Sequence, residues 1–173
     1  MCSRYKSLEA KDIRPGDETI VYTVHGPQSM RWGFSMANKK LLINARSETA
    51  ADKPLFRKSM QNGRCIVKAS VFYEWDTQKR CHAYESASQS DLYLAALYTT
   101  AENNEYRFVI LTQESHGDAR RVHPRMPCCL PTEEYRYLWL HDNVLAPSLL
   151  QEHVSLRIER LPQNIQQLSI IEE

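Results

Sequence analysis

Loss of Met1 from the opening stretch Met1-Cys2-Ser3-Arg4 leaves a cysteine with a free α-amine, so that two nucleophiles share one residue. The amine, with a pKa near ~7.7 to 8.0, is partly unprotonated at neutral pH, and a thiol near ~8.5 is within reach of activation. Such a 1,2-aminothiol captures aldehydes. The amine condenses to a Schiff base, and the thiol closes a five-membered thiazolidine that locks the imine. Further along, Asn44 and Arg46 end one strand-like run, Glu74 sits amid Phe72, Tyr73 and Trp75, and His123 with Arg125 lies in a polar loop before the apolar run 128–130. Polar groups at the ends of separate elements could converge on the aminothiol as proton carriers and anion binders. Each has an ordinary alternative. Asn44 could cap a turn, Arg46 could pair with Glu48, Glu74 could be an exposed strand residue, and His123 a surface loop histidine.

The elements that must position these groups read mostly as strands. Thr19 to Val24, Ser29 to Phe34 and Leu41 to Ile43 are strand-like, separated by His25-Gly26-Pro27 and other turn residues. Arg64 to Val67, Ser70 to Trp75, Arg80 to Tyr84, Leu92 to Tyr98 and Tyr106 to Leu111 continue the series. Ser47 could cap a helix reaching about Met60, Thr132 caps one running to about His141, a short helix starts near Ala146, and Val154 to Ile158 is a closing strand. With no repeat or linker, this is one α+β domain over residues 1–173. It consists of mostly antiparallel sheets forming a distorted barrel or two-sheet core, with a few short peripheral helices.

Bulk properties narrow the function classes. A hydrophobic content of 42% supplies a core. No run is long and apolar enough for a membrane span, and the start lacks a signal peptide's apolar centre. The five cysteines, Cys2, Cys65, Cys81, Cys128 and Cys129, are odd in number and without framework spacing, which points to a reducing, cytoplasmic setting. Metal-ligand spacings such as CxxC and HExxH are absent, and adjacent Cys128 and Cys129 on a strand would face opposite ways, so neither metal nor cofactor is expected. The net charge of +1 hides an asymmetry: residues 1–130 carry 19 Lys and Arg against 14 Asp and Glu, and residues 131–173 carry 3 against 7. An Arg-rich excess suits phosphate, although an ordinary solvated surface has the same composition. The lack of a long exposed apolar face implies a monomer.

Six stretches taken in order carry a further signal: Met1-Cys2-Ser3-Arg4, Arg31-Trp32-Gly33, Asn44-Ala45-Arg46-Ser47-Glu48-Thr49, Arg64-Cys65-Ile66-Val67, Phe72-Tyr73-Glu74-Trp75 and His123-Pro124-Arg125-Met126-Pro127. Together they resemble the SRAP family, the SOS-response-associated peptidase-like proteins that cross-link to abasic sites in single-stranded DNA. The resemblance implies that Cys2, freed of Met1 by self-removal or an aminopeptidase, is the nucleophile. Asn44 would hold the N-terminal backbone, Glu74 would shuttle protons, and His123 would assist opening of the sugar ring. It further implies that Arg4, Arg46 and Arg125 grip phosphates, that Trp32 and Trp75 offer apolar faces to splayed bases, and that Thr112 lines the pocket. On base rates Trp32 is instead a core aromatic.

This chain departs from the family where Ser3 replaces a usual glycine, where Pro124 replaces a common aspartate, at Phe34-Ser35-Met36, and in a shortened segment between Arg4 and Thr19. A thiol peptidase with His123 as base and a non-catalytic single-stranded nucleic-acid module remain as alternatives. The first needs an oxyanion hole, and the second leaves Cys2 dispensable.

Overall fold

Alternation of side chains along the strands decides the architecture: β8, β11 and β12 of the central sheet bury apolar residues on both faces, whereas β3 and β4 turn one face toward solvent. The computed structural model describes residues 2–37, 39–101 and 103–162. Strands β1 (Tyr5–Lys6) and β2 (Asp12–Ile13) pair with each other, followed by the hairpin of β3 (Glu18–Thr23) and β4 (Gly26–Trp32). Gly33 then turns the chain at φ +110°, a conformation that favours glycine, and a Cβ there would also crowd the Leu41 side chain at 3.1 Å. Short strands β5 (Phe34–Ser35) and β6 (Leu41–Leu42) lead to β7 (Asn44–Arg46), α1 (Ser47–Ala50) and α2 (Pro54–Asn62).

The rest of the chain supplies β8 (Arg64–Ala69), β9 (Val71–Trp75), β10 (Cys81–Ser86), β11 (Leu92–Thr100) and β12 (Tyr106–Glu114). After these come α3 (Ala119–Val122), β13 (Arg125–Pro127), α4 (Glu133–His141), a 3-10 helix (Ala146–Gln151) and β14 (Leu156–Arg160). Strands β3, β4, β12, β11 and β8 close on themselves as a five-stranded barrel, and a second sheet runs β14-β10-β9-β1-β2. The sheets are mostly antiparallel, as expected, but β12 pairs in parallel with both β4 and β7.

Two apolar clusters follow from the alternation. Cys65, Val67, Leu94, Ala96, Phe108 and Ile110 join Tyr5, Phe72 and Tyr84 of the second sheet. Their neighbours Ile66, Ala95, Leu97, Val109 and Leu111 pack against Phe56 and Met60 of α2 and Trp139 of α4. Cys128 and Cys129 divide between the two clusters, on opposite faces as their adjacency requires. Arg64, from one of the motif stretches, is buried and donates to the carbonyls of Met60 and Trp139, which ties α2 to α4.

Candidate active site

The N-terminal segment is threaded beside β9. Tyr5 pairs with Phe72, and the Tyr73 N–H donates to the Arg4 carbonyl at 3.0 Å. Carried back along the chain, this register brings residues 2 and 3 alongside Glu74 and Trp75. The Cys2 side chain is completely buried, and its backbone carbonyl accepts a 2.8 Å bond from Asn44 Nδ2. Asn44 is at the start of β7, opposite Ile110 of β12, and is itself buried. Burial pushes the Cys2 thiol far above its ordinary value, and the nearby Glu74 carboxylate adds to the effect. The thiol is therefore held protonated. Ser3 adopts no left-handed backbone conformation, so replacing glycine there costs the turn nothing.

Glu74 is 1% exposed on the same face of β9 as Phe72, pointing toward the first cluster. His123 Nδ1 lies 4.0 Å from Glu74 Oε2, and the same ring nitrogen meets the Arg125 backbone N–H at 3.0 Å and the Arg125 carbonyl at 2.8 Å. His123 thus enters the site from the turn between α3 and β13. Fully buried Thr112 lies at the junction of three strands: it is opposite Arg46 of β7 and Pro127 of β13. Its hydroxyl reaches the Ala45 carbonyl at 3.4 Å. Cys2, Asn44, Glu74 and His123 are therefore assembled from four separate elements.

The residues expected to hold DNA divide differently. Arg46 is exposed just before α1 and, among the described residues, makes no ion pair. Arg4 instead lies over the Tyr73 ring, with Nε 2.7 Å from Asp12, on the face of β9 away from Glu74. The Asp12 hydrogen bond raises the Arg4 pKa further. Trp75 shares that far face, clustered with Tyr73, Cys81 and Ala83. Trp32 has no exposed surface; its indole donates to the Ile43 carbonyl at 2.9 Å and stacks on Phe108, leaving no face for a base. It is the core aromatic that base rates favour. Arg125 forms a two-pronged pair with Glu48 at 2.7 and 2.8 Å. The alternative pairing of Glu48 with Arg46 is thereby replaced, and Glu48 is a site neighbour to which sequence reasoning gave no role. Its place inside the Asn44–Thr49 stretch was the available signal.

Among the described residues there is no group of three or more His, Cys, Asp or Glu that could hold a metal ion, and no helix is long and apolar enough to cross a membrane. The model of the family described as SOS response associated peptidase (SRAP) matches residues 1–167. The chain belongs to the SRAP family. This SRAP chain is 35% identical over 136 residues to the abasic site processing protein YobE of Bacillus subtilis, covering 70% of itself and 62% of that relative. Over 122 residues it is 30% identical to the abasic site processing protein YedK of Escherichia coli, covering 65% of itself and 54% of YedK. With HMCES of Xenopus tropicalis, also an abasic site processing protein, identity is 28% over 123 residues, with 56% and 37% covered. The SRAP chain thus spans about 60% of the length of the Bacillus relatives it matches. Its fold is shared with a crystal structure from Bordetella bronchiseptica, at a TM-score of 0.79 and 22% identity, covering 93% of this chain and all of that one.

Proposed function

We propose that this SRAP protein captures abasic sites in single-stranded DNA by forming a thiazolidine through Cys2. The observation that carries the reading is the buried Cys2 whose carbonyl is fixed by Asn44, with Glu74 beside it and His123 Nδ1 4.0 Å from the Glu74 carboxylate. Removal of Met1, which lies outside the described residues, comes first and frees the α-amine. We assign this step to the same site acting on its own chain.

The ring-opened sugar offers an aldehyde. Because burial holds the thiol protonated, the amine is the first nucleophile: it adds to the aldehyde carbon, and water leaves to give an imine. The S–H then adds across the C=N bond, sulfur to carbon and the proton to nitrogen, closing the ring. Glu74 carries protons in both steps, and His123 protonates the sugar oxygen as the ring opens. Arg46, exposed two residues beyond Asn44, is the cation offered to a neighbouring phosphate. The protein acts as a single SRAP domain and a monomer in the cytoplasm, where its five unbridged, buried cysteines stay reduced.

The test mixes Met1-free protein with single-stranded DNA bearing one abasic site, beside intact DNA and a Cys2→Ala variant, on a denaturing gel. A shifted band is expected only from wild type with abasic DNA. Its absence with protein shown by mass to lack Met1 sinks the reading, and peptide hydrolysis and salt-sensitive DNA binding would be measured next.

A further inference from the structure

The outer face of the barrel carries a row in which rings and cations alternate. Tyr22 of β3, Lys68 of β8 and Tyr93 of β11 share the side of the sheet that holds Ile66 and Ala95, the side that α2 and α4 cover in part. Lys68 is directly opposite Tyr93, and its Nζ is 3.8 Å from the Tyr22 ring centre and 5.8 Å from that of Tyr93. The Arg136 guanidinium of α4 lies 3.9 Å from the centre of the same Tyr93 ring. The row thus runs ring, cation, ring, cation across three strands and a helix.

Neither cation is engaged by a carboxylate. Among the described residues Lys68 and Arg136 make no ion pair, whereas Arg4, Arg31, Arg80 and Arg107 all do. The row is also open to solvent. All four of its residues are partly exposed, and Ile20 and Val24, two residues to either side of Tyr22, are 50% and 44% exposed. A single strand of nucleic acid offers the matching alternation, since each nucleotide brings one phosphate and one flat base. Bases stack on aromatic side chains whatever the sequence, and phosphates take up lysine and arginine. An exposed cation–π contact is weaker than base–aromatic stacking, so a base displaces a cation from its ring, and sends it to the phosphate, at a net gain.

We propose that the face formed by Tyr22, Lys68, Tyr93 and Arg136 binds undamaged single-stranded DNA flanking the lesion, without reading its sequence. The choice of partner rests on the capture reading, but the face is separate from the capture site. It is within reach of that site. Pro127 pairs with Thr112, and three residues on, the Leu130 N–H donates to the Tyr93 carbonyl. Three extended residues span about 10 Å.

The Cys2→Ala protein, which forms no covalent product, is titrated by anisotropy with a labelled, lesion-free oligothymidylate at several salt concentrations. In that background Lys68→Gln and Arg136→Gln are each expected to flatten the slope of log affinity against log salt by about 0.7, one phosphate contact apiece. Tyr93→Leu is expected to weaken binding about fivefold or more at an unchanged slope. Lys11→Gln, which alters an exposed cation just before β2, is expected to leave both quantities as they were. Wild-type slopes in both glutamine variants overturn the proposal, and so does an equal flattening in Lys11→Gln, which would make the attraction diffuse. Full affinity in Tyr93→Leu overturns the stacking platform, as does displacement of the oligonucleotide by an equal concentration of polyglutamate. Should Tyr93→Leu melt early, the two glutamine variants, whose side chains are partly exposed, decide alone. Cross-linking of abasic DNA by protein with Cys2 intact is scored in parallel. Cross-linking with unaltered glutamine variants loses the platform and keeps the capture reading, whereas altered variants without any cross-link do the reverse.

Discussion

The bond from Asn44 Nδ2 to the Cys2 carbonyl links the N-terminal segment directly to β7. It does two things at once. It satisfies an acceptor that burial has removed from water, and it fixes which way the main chain of residue 2 faces Glu74. Asn44→Ala leaves that carbonyl buried without its donor. The expected cost is about 1–3 kcal/mol of stability, read as a lower thermal midpoint. Cross-linking should slow about tenfold or more, because the aminothiol is no longer held in register. Equal rates in Asn44→Ala and wild type would assign Asn44 to the fold alone.

Sheet pairing explains both what was legible in the chain and what was not. The runs that became β3, β8, β9, β11 and β12 carry alternating or continuous apolar residues bounded by turn residues, and Thr132 caps α4 with a 3.3 Å bond from the Tyr135 N–H. Ser47 reads as a cap by residue type, yet Arg46, extended at φ −77° and ψ 123°, precedes the helix without any side-chain cap. Strands β1, β2 and β13 are two or three residues long, with β1 and β13 held by partners elsewhere in the chain, β9 and β12, and β2 paired on β1, so local propensity cannot reveal them. The opposite faces taken by Glu74 and Trp75 were within reach of the sequence, since neighbours on a strand always diverge. What alternation could not say is which face closes over Cys2; that is set by the pairing of Tyr5 with Phe72.

The turn joining β9 to β10 is held by a single carboxylate. Asp76, at its start, accepts from Arg80 Nε at 2.7 Å, from His82 Nε2 at 3.0 Å, and from the N–H groups of Gln78 and Arg80. Burial alone would push the Asp76 carboxyl up, but these hydrogen bonds outweigh it and hold the group well below the usual carboxylate range. With the folded pKa below the unfolded one, the stabilisation is complete above the unfolded value near ~3.9 and is lost as pH falls below it. Asp76→Asn is accordingly expected to lose about 2 kcal/mol at pH 7, with the gap to wild type closing as pH drops from about 4 toward 2. Urea melts at a series of pH values check this, and a gap that widened in acid would reverse the assignment.

At the scale of the whole molecule, several of the basic residues in 1–130 prove to be tied up once their partners are traced. Arg4 is paired with Asp12, Arg31 and Arg107 with Glu105, Arg80 with Asp76 and Arg125 with Glu48. Arg64 is spent on helix carbonyls. These six arginines are thus engaged within the fold, but the net excess is unchanged, because the paired carboxylates are already counted in it; it is carried by exposed Arg46 beside the site and by scattered surface cations. Non-covalent affinity for single-stranded DNA comes from releasing counterions, with a logarithmic slope of about −0.7 for each phosphate neutralised. Two or three contacts give a slope of about −2, much shallower than for a protein that tracks a long backbone. Anisotropy titrations of the Cys2→Ala variant at increasing salt isolate this term, because no covalent product forms. A shallow slope together with efficient cross-linking by wild type would mean that the aldehyde chemistry, more than the grip on the backbone, selects the lesion. A steep one would place a basic track on a part of the surface that these pairings do not neutralise.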